Sequence, residues 1–334
     1  MSMKELKYCP STLAEGFTTY SLAALRKLFD GKKVSHILPY NAPEKNEVDT
    51  GKFLENRKRI SISGVQEKLS LVLDKNKLRL TKEGEGGTHI LKPIPGDLKK
   101  VNLVPANEHL TMQIARQVYG IHIAPCGMIF FKGGEPAYIT RRFDVKPGGS
   151  KWGKEDFATL AGKTSLNSGS NFKYEYSYEE AGYLIQKYVP AWKVEMDKYF
   201  SLVVFNYLFS NGDAHLKNFS LLENENGDYF LSPAYDLINT RIHVDDSDFA
   251  LDRGLFADGF KSETFKKSLH PGKADFIEFG RRIGIDIHRA EKLLTPFLTQ
   301  QGKVELLVKR SFLPVPTQRG YLLEYHAKRN MLNA

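Results

Sequence analysis

The segment Asn211-Gly212-Asp213-Ala214-His215-Leu216-Lys217-Asn218, followed eighteen residues later by Asp236, carries residue types suited to phosphoryl transfer. In that chemistry one Asp accepts the proton of a hydroxyl nucleophile. An Asn just beyond it and a second, later Asp hold Mg²⁺ against the nucleotide phosphates. Asp213 would be the base, with Asn218 and Asp236 as metal ligands, and D-x-x-x-x-N is the spacing of a protein-kinase catalytic loop. A chain with 39 acidic residues also produces that pair by chance, so the setting has to decide.

The setting is favourable. Residues 199–209 are apolar enough for a buried helix and end at Ser210. Residues 218–222 read as a short strand, 224–228 as a turn and 229–232 as the returning strand, which leads through Pro233 to Asp236. Polar groups then stand at element ends on a rigid scaffold, where binding and catalytic residues concentrate. His215 is better placed to brace this loop through a side-chain bond than to bind metal.

Upstream, residues 69–74 and 78–80 are strand candidates around a 75–77 turn, and 88–92 is the next strand. Lys92 ends it, where an ammonium can reach phosphate oxygens, although a solvated strand lysine reads the same way. A helix from Glu108 to Val118 should bury Leu110, Ile114 and Val118. Glu108 either holds Lys92 as kinases do or is an acid favoured by the helix dipole. Residues 127–143 form a hairpin whose end, Arg142-Phe143-Asp144, is either a hinge beside a nucleotide or purely structural. Residues 146–180 read as a long polar, glycine-rich loop before a helix over 178–189. Beyond 245 the pattern is helical, with amphipathic stretches at 274–283 and 288–298 and final segments at 304–312 and 321–332.

Six blocks in order resemble the HipA toxin kinases, bacterial serine/threonine kinases of toxin–antitoxin systems. They are Ser61-Ile62-Ser63-Gly64-Val65-Gln66-Glu67-Lys68, His89-Ile90-Leu91-Lys92-Pro93, Asn107-Glu108, Arg142-Phe143-Asp144, the 211–219 loop and Pro233-Ala234-Tyr235-Asp236. The resemblance implies an α+β, bilobal, protein-kinase-like fold, with a mixed, β-rich N-terminal lobe over 1–144 and a mainly helical lobe over 145–334. Within the first, 1–60 is a family-variable extension and 61–144 the nucleotide lobe and hinge. It implies ATP and Mg²⁺, with Lys92 on the phosphates and Lys217 neutralising the γ-phosphate. The loop around Gly64 would cover the phosphates, with Ser61 and Ser63 as inhibitory autophosphorylation sites. Backbone groups of Arg142 and Phe143 would lie near adenine, and Asp144 would cap the hinge or touch ribose.

Only sixty residues precede the Ser61 block, and its two serines resemble the short form, HipT. That form implies a separate small protein in place of a missing N-terminal subdomain and a helix-turn-helix antitoxin that would make any DNA contact. It also implies an aminoacyl-tRNA synthetase as substrate, tryptophanyl first and glutamyl second, whose loss stops translation.

Composition agrees. At 334 residues the chain can bury a large core, and two cysteines, Cys9 and Cys126, make no disulfide framework. Nine scattered histidines show no zinc spacing. The net charge of +9 carries no nucleic-acid motif and suits capture of an anionic nucleotide. With no eighteen-residue apolar run and no signal peptide, the expected place is the bacterial cytoplasm and not a membrane, with secretion as an effector the other possibility. Two rival readings stand beside the protein kinase: a small-molecule phosphotransferase on the same scaffold, and an inactive nucleotide-binding partner protein.

Overall fold

The computed structural model describes residues 6–43, 67–96 and 98–334, so Ser61, Ser63 and Gly64 lie outside the described residues. The fold is α+β: a five-stranded antiparallel sheet near the N-terminus, followed by a mainly helical region with a small second sheet. Strands β1 (Leu69–Asp74) and β2 (Lys77–Leu80) form the expected hairpin, and β1 also pairs with β3 (His89–Lys92). Strand β5 (Pro136–Arg141) then lies between β3 and β4 (Cys126–Phe130), giving the order β2-β1-β3-β5-β4. Alternating side chains split this sheet between two cores. Leu71, Leu91, Ile129 and Ile139 pack under helix α1 (Leu22–Phe29), which the sequence reading did not anticipate. Met128 and Tyr138 point the other way, into the large helical core.

Helix α2 (Val104–Gln117) lies on that second face. It starts four residues before the expected Glu108, with Pro105 in its first turn, where a missing N–H costs nothing. The expected single apolar face is too narrow a description, because Val104 through Ala115 are all buried. Its polar side chains survive by finding partners. Asn107 Nδ2 donates to the Asn239 carbonyl at 2.8 Å, and His109 Nε2 meets the Ser11 carbonyl at 2.9 Å.

The 146–180 stretch is more ordered than a loop. It contains β6 (Lys154–Asp156) and two short helices, α3 (Phe157–Leu160) and α4 (Ser165–Ser168). Strand β6 pairs with β7 (Ser220–Glu223), which forms the expected hairpin with β8 (Tyr229–Leu231). A three-residue strand carries too little periodicity to be read alone; pairing with β7 creates it. Helix α5 (Tyr178–Tyr188) opens on a capping box from Ser177 and Glu180. Helix α6 (Trp192–Leu208) is buried continuously from Leu202 to Leu208 and delivers the 211–218 loop. The C-terminal helices α7 (Glu263–Ser268), α8 (Lys273–Arg282), α9 (Ile287–Leu298), α10 (Gly302–Arg310) and α11 (Val315–Asn333) complete the fold.

Candidate active site

The loop after α6 is held by its backbone. Ser210 takes a positive φ of 52°, turning the chain sharply out of the helix. Thr240 clamps the turn from both sides: its hydroxyl donates to the Ser210 carbonyl and accepts from the Gly212 N–H, each at 2.9 Å. Further along, Tyr178 Oη donates to the Ala214 carbonyl at 2.9 Å, the Leu216 N–H to the Lys173 carbonyl at 3.0 Å, and Tyr235 Oη to the Lys217 carbonyl at 3.0 Å. Each bond comes from a different part of the chain. The loop is therefore set by tertiary structure, and its side chains are positioned before any ligand arrives.

Asp236 arrives from the opposite direction. The segment leading to it is tied to residues 122–124 by two backbone bonds, Ala234 N–H to the His122 carbonyl at 2.8 Å and Ala124 N–H to the Ala234 carbonyl at 3.0 Å. Asp236 itself has φ of +57°, a conformation that costs a non-glycine residue about 1 kcal/mol or more and persists only where surroundings impose it. Such residues cluster at functional sites.

These two segments meet the end of β3. Lys92 is 4% exposed, and its Nζ donates to Glu108 Oε1 at 2.6 Å and to Asp236 Oδ1, while lying 5.3 Å from the Tyr138 ring centre. Lys68 Nζ holds the second Asp236 oxygen at 3.3 Å. Burial works against the charge on Lys92, but Asp236 and Glu108 outweigh it and hold the ammonium above the ordinary lysine range. Burial would push Asp236 up, yet Lys92 and Lys68 draw it well below the usual carboxylate range. Glu108 is pushed up by its enclosure, which Lys92 opposes. Of the two readings of Glu108, its second-turn position and this 2.6 Å contact select the lysine partner over the helix-dipole acid.

Asp213 is 7% exposed and accepts from Tyr174 Oη at 3.3 Å. His215 Nε2 lies 3.8 Å from Asp213 Oδ1, longer than a hydrogen bond, and its ring meets Tyr174 edge-on at 5.3 Å. Burial, reinforced by nearby Lys173, lowers His215 to about 3, so it is a neutral imidazole at physiological pH. Asn218 is buried, and its Oδ1 finds no hydrogen-bond partner among the described residues. A buried, unsatisfied acceptor is costly and calls for a donor or a cation. An amide oxygen there and the Asp236 carboxylate are the hard oxygen donors that Mg²⁺ prefers. Among the described residues no cluster of three or more His, Cys, Asp or Glu forms a richer metal site.

A cleft of about 450 Å³ gathers Lys68, Lys92, Lys154, Lys173, Lys217 and Asp236. Lysines outnumber carboxylates along it, the charge balance a polyphosphate requires. Phe143 and Tyr235 line it with ring centres 5.7 Å apart, and Lys154 sits 5.3 Å from Tyr235. Arg142 grips both oxygens of Asp144, with Nε to Oδ1 at 3.0 Å, so this pair braces the turn after β5. Lys217 also lines the cleft, but its ammonium is paired with Asp156 Oδ2 at 2.9 Å. Sequence reading passed over Lys154 and Asp156. The signal was their i, i+2 spacing, which puts both on one face of β6. Lys68 was named only inside the Ser61 block and Lys173 fell in the stretch read as loop, and nothing local distinguishes them from solvated lysines.

A sequence profile of the HipA-like C-terminal domain matches residues 60–303, well over half of the chain. The chain belongs to that family. A Haemophilus influenzae protein named "Putative kinase" is 27% identical across 96% of this chain and 94% of its own length. The "Serine/threonine-protein kinase toxin HipA" of Shewanella oneidensis is 26% identical across 57% of this chain, which spans only 46% of that toxin. Among solved structures, Shewanella oneidensis HipA, determined with HipB and operator DNA, superposes with a TM-score of 0.60 at 20% identity, over 81% of this chain and 63% of that one. The Helicobacter pylori proinflammatory kinase CtkA superposes with a TM-score of 0.52 at 14% identity, over 78% of this chain and 92% of that one. At these identities the superpositions establish a kinase-like fold for this member of the HipA-like family.

Proposed function

We propose that this chain is an ATP- and Mg²⁺-dependent serine/threonine protein kinase and the toxin of a toxin–antitoxin system. One observation carries the reading: Lys92, enclosed by Glu108 and Asp236, faces the same cationic cleft as the loop bearing Asp213 and Asn218. A polyphosphate needs fixed cations, and a transferred phosphoryl group needs a base and a metal on opposite sides of it.

Nucleotide would bind between residues 1–144 and 145–334, with Lys92, held in place by its carboxylate partners, on the phosphates. Asn218 and Asp236 would hold Mg²⁺, which neutralises charge on the phosphate oxygens. Asp213 orients the acceptor hydroxyl and takes its proton as the oxygen attacks the γ-phosphorus. The new P–O bond forms as the bond to the bridging oxygen breaks, and ADP leaves. Lys217, released from Asp156, would meet the charge on the moving phosphoryl group. Neutral His215 braces Asp213 and Tyr174 rather than transferring a proton.

The finer assignments follow from family membership and the Ser61-Ile62-Ser63 sequence. Ser61 and Ser63 would be autophosphorylated, placing dianionic groups that repel nucleotide phosphates. The chain would be the short form, HipT, working with a separate small protein and a helix-turn-helix antitoxin, as the Shewanella HipA structure with HipB and DNA suggests for its own system. Its substrate would be an aminoacyl-tRNA synthetase, tryptophanyl or glutamyl. Intact-mass and peptide mass spectrometry after incubation with ATP and Mg²⁺ tests the kinase step. Phosphate should appear on Ser61 or Ser63 in the wild type and not in Asp213→Asn. A protein that starts unphosphorylated, binds ATP and gains no mass would defeat the autophosphorylating kinase.

A further inference from the structure

The C-terminal helix α11 buries one row of side chains, Tyr321, Tyr325, Lys328 and Leu332. Their i, i+4, i+7, i+11 spacing puts all four on one face. The first three each touch a segment that carries part of the candidate site. Tyr321 Oη lies 2.9 Å from Thr111 Oγ1 on α2, one turn after Glu108. Tyr325 stacks on Phe209 with ring centres 5.3 Å apart, and Phe209 directly precedes the sharp turn at Ser210.

Lys328 is the odd member of the row, a lysine 1% exposed among aromatic neighbours. Its Nζ lies 4.5 Å from the Tyr207 ring centre and donates to Asp248 Oδ1. The same carboxylate meets His270 Nδ1 at 2.6 Å and Arg241 at 3.1 Å. Burial lowers Lys328 from the ordinary lysine range, and Asp248 opposes that. An apolar side chain would hold the helix in place as well. A buried ion pair is weak evidence for stability, and its best-attested use is to fix one arrangement among several.

The arrangement fixed here lies beside the base. A Cβ on Gly212 would fall 2.5 Å from Asp246 Cβ and 2.9 Å from the Ser247 carbonyl oxygen. Residues 246 and 247 therefore press directly on the residue before Asp213, and Asp248 is the next along. Thr240 holds the Gly212 N–H, and Arg241 beside it grips Asp248. Lys328 lines neither the cationic cleft nor the cavity that Asp213 lines, so it can reach the chemistry only through Asp248.

Resting on the kinase reading, we infer that Lys328 is a positioning residue for phosphoryl transfer. Through Asp248 it locks residues 246–248 against Gly212, and so sets where Asp213 stands.

The test compares the full chain as wild type, as Lys328→Met, and as the double variant Lys328→Met, Asp248→Asn. The double variant removes both charges, so it separates a lost lock from a carboxylate left without its lysine. Transfer of labelled phosphate from ATP to the chain is measured per bound nucleotide, which corrects for any unfolded fraction. Both variants should bind ATP with unchanged affinity and transfer roughly ten- to a hundredfold more slowly, the cost of a small misplacement. Amide hydrogen exchange over residues 210–216 should rise by about tenfold in both, with strands β3 and β5 unchanged. An unchanged rate per bound nucleotide, or unchanged exchange, in both variants would overturn the positioning role. So would exchange that rises equally in β3 and β5, the mark of a fold loosened throughout. A wild type that binds ATP and transfers nothing overturns the kinase reading itself, and faster exchange would then leave Lys328 as a lock without a reaction.

Discussion

Lys92 and Lys217 line the same cleft and are held in opposite ways. Lys92 lies in a nearly closed setting, its side chain 5% exposed, between two carboxylates contributed by α2 and by the strained Asp236. Lys217 is 45% exposed and pairs with one carboxylate of β6. The difference is between a charge the fold positions in advance and a charge free to follow a ligand. A buried ammonium keeps its charge only while its partners stay in place, because isolated burial is expensive. An exposed pair is screened by water and contributes little, so it exchanges partners readily. The rigid wall fixes where phosphate sits; the loose one can move with the reacting group.

This contrast can be broken experimentally. The largest effect belongs to Asp213→Asn, which should reduce phosphoryl transfer by about 10² to 10⁴-fold, the usual contribution of a general base, with ATP binding retained. Radiolabel transfer and nucleotide titration on the same preparation separate the two. Next, Lys92→Met should lower unfolding free energy by roughly 3–5 kcal/mol, since Glu108 and Asp236 lose their shared partner in a buried site. Chemical denaturation measures it, and a loss below about 1 kcal/mol would mean the triad is no more than a surface pair.

The third prediction concerns pH. His89 and His109 are buried and neutral, each lowered by burial to about 4 from the ordinary 6.5. The unfolded chain binds protons that the folded chain refuses between those values. Their contribution is therefore complete above about 6.5 and lost as pH falls towards 4, at up to about 1.4 kcal/mol per pH unit for each. Asp236, held low by its lysines, adds acid sensitivity only below the ordinary carboxylate range. Melting temperature should fall steadily from pH 6.5 to 4, and His109→Gln should flatten the slope. The smallest effect is Lys68→Ala. Its side chain is 40% exposed, so despite touching the same Asp236 oxygen pair it should cost less than about 1 kcal/mol in denaturation. A cost equal to that of Lys92→Met would erase the distinction between the two kinds of lysine.

Elements with local causes were legible. The hairpins β1–β2 and β7–β8 have turn residues between short apolar runs, and both formed where expected. Helix α8 begins one residue before the expected 274 and α9 one before 288. Helix α1 and strand β6 were not read, the first because eight residues give a short period, the second because its order comes from pairing with β7. In the site, Asp213 and Asn218 share a loop, so spacing alone brought them forward. Lys154, Asp156 and Lys173 come from the stretch read as loop and are cleft residues only because β6 and the 211–218 loop meet there.

By itself the sequence determined which chemical groups are available and which of them must stay close: base and amide five residues apart on one loop, lysine at a strand end, two cysteines with no framework. These are properties of short chain segments, governed by covalent distance and local turn preference. Only the tertiary structure decided that Lys92 meets an Asp 144 residues away, and that Asn218 is buried with an oxygen unsatisfied among the described residues. It also gathered a cationic cleft lined by His215 and Lys217 and a separate cavity lined by Asp213. Charge state and burial depend on what distant segments bring into contact, and packing of the whole chain sets that.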